Sequence, residues 1–250
     1  MPREPALSPP EWGSPSWLAS LTALLAPGPC LSCGGDLPTT ALCGSCPGCW
    51  ASLPLLRGPG CSHCELPAAR ALSPSECPDC RSSALPRIVA ALEYRGLAVS
   101  FHRRLKFQGE TPLAVHLGVR MAEAWSARGS EADLCVAVPP SYFRWPPCRR
   151  KTASALARTA ARRLGLPLAR RALVRKRLTT PQTRRSAEER RGRLIGAFAA
   201  RADRVAGARV IVVDDVSTTG ATVAEAARAL ESAGARAVGA LVLARTAPRR

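Results

Sequence analysis

Val210-Ile211-Val212-Val213-Asp214-Asp215-Val216-Ser217-Thr218-Thr219-Gly220-Ala221-Thr222 is the stretch that decides how this 250-residue chain is read. Four β-branched residues in succession predict a strand buried on both faces, as in a parallel sheet. Two carboxylates close the strand, and a turn of hydroxyl residues and glycine leads into residues 223–230, whose Ala, Leu, Glu and Arg favour helix. In an open α/β sheet a ligand lies beyond the carboxyl ends of the strands. The N–H groups at a helix N-terminus receive phosphate readily, and adjacent aspartates suit two neighbouring sugar hydroxyls. A phosphorylated ribose satisfies both halves of the stretch. A generic Rossmann-like strand-turn-helix or a Walker-B-like strand has the same outline, but no G-x-x-x-x-G-K-[ST] occurs to partner a Walker-B strand.

Working outward, strands and helices alternate. Residues 88–94 read as a strand ended by Arg95-Gly96, and a helix-like run then reaches Leu105-Lys106-Phe107 before Gln108-Gly109-Glu110 turns the chain. A helix is expected over 113–128, closed at Gly129, and a strand over 134–138 ending in Pro139-Pro140. Residues 151–164 form a basic helix stopped by Gly165, and 237–243 a last strand. Alternation of this kind predicts an α/β domain with a parallel sheet over residues 87–246.

Upstream the chain changes character. Of eleven cysteines, Cys30/Cys33 and Cys46/Cys49 form one quartet of C-x2-C pairs, and Cys61/Cys64 and Cys77/Cys80 form a second. Adding 31 to each member of the first quartet yields the second, and Cys46-Pro47-Gly48-Cys49 matches Cys77-Pro78-Asp79-Cys80. A fixed offset marks an internal duplication. Two residues between cysteines let both sulfurs reach one tetrahedral Zn²⁺, and modules this short draw folding free energy from the metal. Residues 28–84 are therefore expected to form a double zinc ribbon with two structural sites, ligated sequentially or cross-braced. Disulfides need an oxidising compartment, for which no export signal is seen, and a redox C-x-x-C needs only one pair. Cys43 stands outside the repeat as a spare thiol. His63, inside the third knuckle, is either a substitute ligand or solvent-exposed.

Residues 1–27 read as an arm with one short amphipathic helix. No run of about 18 apolar residues suggests a membrane span, so no membrane insertion and a cytoplasmic location are expected. The net charge is +18, and it is uneven: residues 1–86 carry four Lys/Arg against six Asp/Glu, residues 87–250 carry 32 against 12. Residues 144–193 hold 17 Lys/Arg and only Glu188 and Glu189 as acids. Arg149, Arg150, Lys151, Arg184, Arg185, Arg190 and Arg191 are the candidates for a groove that tracks the phosphates of a single strand; a solvated face is the plainer reading. Aromatic partners are scarce, limited to Tyr142, Phe143, Trp145 and Phe198.

The strand, Asp-Asp and Thr-Thr-Gly turn resemble the phosphoribosyl-pyrophosphate (PRPP) binding loop of type I phosphoribosyltransferases. With the cysteine module the resemblance narrows to the ComF family, which includes the competence protein ComFC and the related GntX group, over roughly residues 28–246. Tyr94-Arg95-Gly96, Leu105-Lys106-Phe107-Gln108-Gly109-Glu110, Pro181-Gln182 and Gly196-Ala197-Phe198 resemble further family marks. The resemblance implies a type I phosphoribosyltransferase-like fold in which Asp214 and Asp215 hold the ribose hydroxyls. Ser217, Thr218, Thr219, Gly220, Ala221 and Thr222 would wrap the 5′-phosphate, Gly220 by letting the backbone close on it. Pro139 and Pro140 would lie at the pyrophosphate loop, and Lys106 would reach phosphate as a point charge or stand as a solvated lysine. Mg²⁺ would arrive with PRPP. The family implies a role in natural transformation with single-stranded DNA and a DNA-uptake helicase as partners. A metabolic phosphoribosyltransferase acting on a small amine or base is the alternative, and a non-catalytic PRPP sensor a third. The family's Gly-Phe-Asn-Gln motif is replaced here by Trp145-Pro146-Pro147-Cys148-Arg149-Arg150-Lys151-Thr152-Ala153-Ser154, and an expected asparagine by Arg193. The resemblance thus supports ribose-phosphate binding more than turnover.

Overall fold

The computed structural model describes residues 29–30, 32–37, 45–108, 111–140, 152–176 and 194–247. The expected arm, Cys43, the Gly109-Glu110 turn and all seven nucleic-acid candidates from Arg149 to Arg191 lie outside the described residues. The chain divides into two compact units, Met1–Ala51 and Ser52–Arg250. The first contains the Cys30 quartet and a short helix α1 (Pro47–Ala51). The second contains everything that follows, so the Cys61 quartet shares a unit with the sheet.

In that second unit the elements are α2 (Pro78–Ser82), β1 (Arg87–Glu93), α3 (Leu97–Gln108), α4 (Thr111–Arg128), β2 (Leu134–Ala137), α5 (Thr152–Leu164), β3 (Leu173–Arg175), β4 (Phe198–Ala200), α6 (Ala202–Val205), β5 (Arg209–Ser217), α7 (Ala221–Ser232) and β6 (Ala237–Arg245). The main sheet has strand order β1-β6-β5-β2 with every pair parallel, as the alternation of strands and helices predicts. β5 lies inside it with Val210 to Val213 buried, the expected fate of four β-branched residues in a row.

Two strands run further than expected. β5 continues past Val213 to Ser217, and β6 past Leu243 to Arg245. Each supports the other's extension: Asp214 pairs with Val242, Val216 with Ala244 and Ser217 with Arg245. The antiparallel pair β3–β4 was not anticipated, because three-residue strands are too short to show a period.

The second cysteine module covers the exposed edge of β1, a place where unpaired backbone groups invite pairing with other chains. The Ala90 N–H donates to Glu65 Oε2 at 2.7 Å, and the Ala90 carbonyl accepts from Arg128 at 2.7 Å. Arg128 also donates to Glu65 at 2.8 Å. Leu56 N–H donates to Ala91 O at 3.2 Å, and Glu93 N–H to Pro54 O at 2.8 Å. Cys61, Cys64 and Cys77 join Leu66, Leu85, Ile88, Ala90 and Val242 in one buried cluster.

On the sheet, Trp125 of α4 lies against Gly239 of β6, where an added Cβ would sit 2.6 Å from its ring. Overpacking of this kind costs about 1–3 kcal/mol. Gly239→Ala should therefore lower the unfolding midpoint in urea, and Trp125→Leu in the same chain should recover part of that loss.

Candidate functional site

The end of β5 and the start of α7 close around a cavity of about 60 Å³. It is lined by Asp214, Ser217, Thr218, Thr219, Gly220, Ala221 and Thr222, together with Leu194, Val216 and Val223. Every candidate of the loop except Asp215 thus faces one space. α7 has twelve residues and begins at this point, so the N–H groups of its first turn have no acceptor within the helix. Gly220 caps the helix with φ +79°, a left-handed conformation suited to glycine. The place of its missing Cβ is taken by the protein: an added atom would lie 2.7 Å from Leu85 Cδ2. Glycine is required here by Leu85 as well as by the left-handed backbone. The Ser217 hydroxyl accepts from Arg245 Nη1 at 3.0 Å.

Side chains alternate along a strand, so the two aspartates do not share a face. Asp214 lines the loop cavity, and burial, then the neighbouring Asp215 charge, hold its carboxyl well above the usual carboxylate range. Asp215 faces α3. Burial also opposes its ionisation, but a hydrogen bond from His102, the charges of His102 and Lys106, and the Val216 N–H hold its carboxyl below the usual value. His102 is buried, with Nε2 3.0 Å from Asp215 Oδ2 and Nδ1 3.1 Å from the Tyr94 hydroxyl. Nε2 is thus placed to donate to the carboxylate, and Nδ1 to share a hydrogen bond with the Tyr94 hydroxyl. Nothing in the sequence marks His102: it is one histidine in a helix, and only the fold sets it beside a carboxylate 113 positions away. Lys106, an expected phosphate contact, is exposed on α3 and acts on Asp215 through its charge.

A second cavity, about 370 Å³, opens beyond the carboxyl end of β2. Pro139 and Pro140 line it with Ser154, Arg158, Arg170, Arg171 and Arg175, and among the described residues no acidic side chain contributes to its wall. Arg175 stacks on Phe198 with its guanidinium carbon 4.6 Å from the ring centre. Burial lowers its pKa, against which Asp214 acts. The Gly196-Ala197-Phe198 mark is tied to α7 by Glu225, a buried carboxylate that accepts from the Gly196 N–H at 2.7 Å and from Arg228.

Each cysteine quartet converges, and each is sequential rather than cross-braced: Cys30, Cys33, Cys46 and Cys49 in one, Cys61, Cys64, Cys77 and Cys80 in the other, with sulfurs within 4.8 Å of one another. Cys30–Cys49 and Cys61–Cys80 are both 3.7 Å apart, and Cys64–Cys77 is 3.5 Å. Thiolates about 2.3 Å from a common tetrahedral centre lie about 3.8 Å apart, so the donor sets fit a zinc ion. The knuckle backbone supports the first thiolate of each set. Against burial, N–H groups that include those of Cys46 and Cys33 bring the Cys30 thiol down to about 5, and those of Cys64 and His63 lower Cys61. His63 is neither ligand nor free side chain: Nε2 lies 2.9 Å from the Leu85 carbonyl.

Residues 150–250 match the phosphoribosyl transferase domain family. Over 196 residues the chain is 33% identical to the DNA utilization protein YhgH of Salmonella typhimurium, spanning 74% of this chain and 84% of that protein. Among solved structures it is similar to the glutamine PRPP amidotransferase of B. subtilis complexed with ADP and GMP, at 19% identity and a TM-score of 0.37, over 57% of this chain and 30% of the other. It is also similar to an allosteric regulatory enzyme of purine biosynthesis, at 25% identity and a TM-score of 0.36, over 52% and 25% respectively. The chain therefore spans less than a third of either enzyme.

The raised carboxyl of Asp214 has a consequence for stability. A carboxyl shifted upward on folding stabilises fully only below its unfolded value, near 3.8, and that contribution is lost as the pH rises through the folded value. Asp214→Asn removes the buried charge and keeps an acceptor for the Asp215 N–H. Its melting temperature should match the wild type at about pH 4 and exceed it by a few degrees at about pH 8.

Proposed function

Since the chain belongs to the ComF family, we propose that it binds PRPP at residues 214–222 and single-stranded DNA along its basic surface, and that it serves DNA uptake. The observation that carries this reading is the closure of Asp214 and residues 217–222 around one cavity at the start of α7. The N–H groups and hydroxyls there would receive the 5′-phosphate, where the helix dipole favours negative charge. Asp214 and Asp215 would bind the ribose hydroxyls, with His102 orienting Asp215 and Tyr94 orienting His102. Mg²⁺ would be held through the phosphates of the ligand, since this ion keeps several waters and needs few protein ligands. Structural zinc would occupy both cysteine quartets, whose closed four-sulfur sets leave no position for hydrolytic chemistry.

The arginine-lined cavity beside Pro139 and Pro140 supports a phosphate-rich occupant, and its arginines belong to the most basic part of the chain, residues 144–193. The relative named a DNA utilization protein makes nucleic acid the polyanion of choice. A helicase of the uptake machinery is the partner this role calls for. Catalytic transfer to a small amine or base has one observation in its favour. Asp215, kept ionised beside the loop, is a negative charge of the kind that steadies a ribosyl cation as pyrophosphate departs.

Two measurements test the proposal. PRPP with Mg²⁺ should raise the melting temperature in a dose-dependent way, following RT ln(1 + [L]/Kd), and Thr218→Glu, which sets a carboxylate in the cavity, should abolish that rise. A flat melting temperature at millimolar PRPP would refute binding at the loop. Retention of labelled single strands on nitrocellulose should fall steeply with salt, and replacing Arg170 and Arg171 by Ala should reduce the slope of log K against log[salt] by about 1–2. Absence of retention at low salt would refute the DNA reading. Pyrophosphate release with any nucleobase acceptor would establish turnover.

A further inference from the structure

Arg245, the last residue of β6, has no exposed surface. A guanidinium has five N–H donors, and here all five have acceptors. Nε donates to Cys64 O at 3.2 Å. Nη2 donates to Asp79 Oδ2 at 2.6 Å and to Cys64 Sγ at 3.6 Å. Nη1 donates to Ser217 Oγ at 3.0 Å and to the Thr218 carbonyl. Three acceptors belong to the second cysteine cluster and two to the phosphate loop. The backbone continues the link, since Thr246 N–H donates to Ser217 O at 3.1 Å.

A second path joins the same two places. His63 Nε2 meets the Leu85 carbonyl at 2.9 Å, and the Leu85 side chain fills the space where Gly220 lacks a Cβ. Both paths use residues that the duplication did not keep in common. At the offset of 31, Asp79 corresponds to Gly48 and His63 to Ser32 in the first module. Glycine has no side chain to offer a guanidinium, and Ser32 bonds within its own module, to Ser45 Oγ at 3.2 Å.

We propose that the second cysteine cluster is the rigid support of the phosphate loop, that Arg245 is the positioning residue between them, and that metal at Cys61, Cys64, Cys77 and Cys80 and ligand at residues 217–222 therefore bind cooperatively. The first cluster takes no part. A metal-bound thiolate at Cys64 keeps its negative charge and its place, so the guanidinium stays charge-assisted on that side and holds Ser217 and Thr218 on the other. Without metal the two knuckles that carry Cys64 and Asp79 lose their common anchor, and the loop loses two hydrogen bonds with them. Coupling is reciprocal, so a loop ligand must also retain the metal. The inference rests on the loop binding a ribose phosphate, as proposed above.

The test uses the full-length zinc-loaded protein, ribose 5-phosphate as the probe without Mg²⁺, and a chromophoric chelator that reports zinc release. Two zinc ions should leave the wild type, and saturating ribose 5-phosphate should slow one of them on the order of tenfold. Cys33→Ser, which dismantles only the first cluster, should release a single zinc with the slowing intact. Arg245→Lys keeps a charge beside Asp79 but cannot span both sides; it should bind zinc normally and show little or no slowing. Asp79→Asn, which keeps the shape of the knuckle, should weaken the slowing and serves if the lysine variant does not fold. Equal slowing of both ions, no slowing in a wild type whose melting temperature rises with ribose 5-phosphate, or full slowing in Arg245→Lys would each overturn the coupling. No rise in melting temperature with ribose 5-phosphate would overturn the loop reading itself.

Discussion

A fully buried arginine is tolerated only where the protein supplies every acceptor that water would have supplied, and Arg245 meets that condition by drawing on two parts of the chain that lie far apart in sequence. Its position at the end of β6 follows from the pairing of that strand with β5, which sets Ser217 opposite Arg245. The guanidinium then sets the approach of the cysteine knuckle to the loop. The same module, through Glu65, and the end of α4, through Arg128, satisfy Ala90 on the free edge of β1.

The carboxylates at the end of β5 show how burial and neighbours separate two chemically identical groups. Asp214 meets a low-dielectric wall and a like charge, while Asp215 meets a histidine and, at longer range, a lysine. Pairs of titratable groups pushed apart in this way mark sites where charge is handled. Alternation along the strand is what gives the two neighbours different surroundings. A ligand whose hydroxyls engage both must therefore reach over the strand end, where α3 and the start of α7 meet the sheet from their separate sides.

Duplication supplied two similar cysteine modules, and the second carries side chains that reach Arg245 and the Leu85 carbonyl. Asp79 and His63 are the differences that matter, and Gly48 and Ser32 stand in their places in the first copy. The first module keeps the four-sulfur geometry in its own compact unit.

The parallel sheet, the turn at the end of β5 and both cysteine quartets were legible in the residues because each is a local pattern. Four β-branched residues make a buried strand wherever they occur, Thr-Thr-Gly before a helix former makes a turn with open N–H groups, and C-x2-C pairs repeated at 31 need little context to converge. The roles of His102, Arg245, Glu65 and Glu225 were not legible, since a histidine in a helix, an arginine at a strand end or a glutamate in a basic chain is ordinary until a distant partner is placed beside it. Gly220 illustrates the boundary: its presence in the turn followed from the motif, but the reason that a side chain is excluded, Leu85 packed against it, arises only when the cysteine module folds onto the sheet. Local pattern chose the elements and the donor sets, and burial of charge against remote acceptors chose how they act on one another.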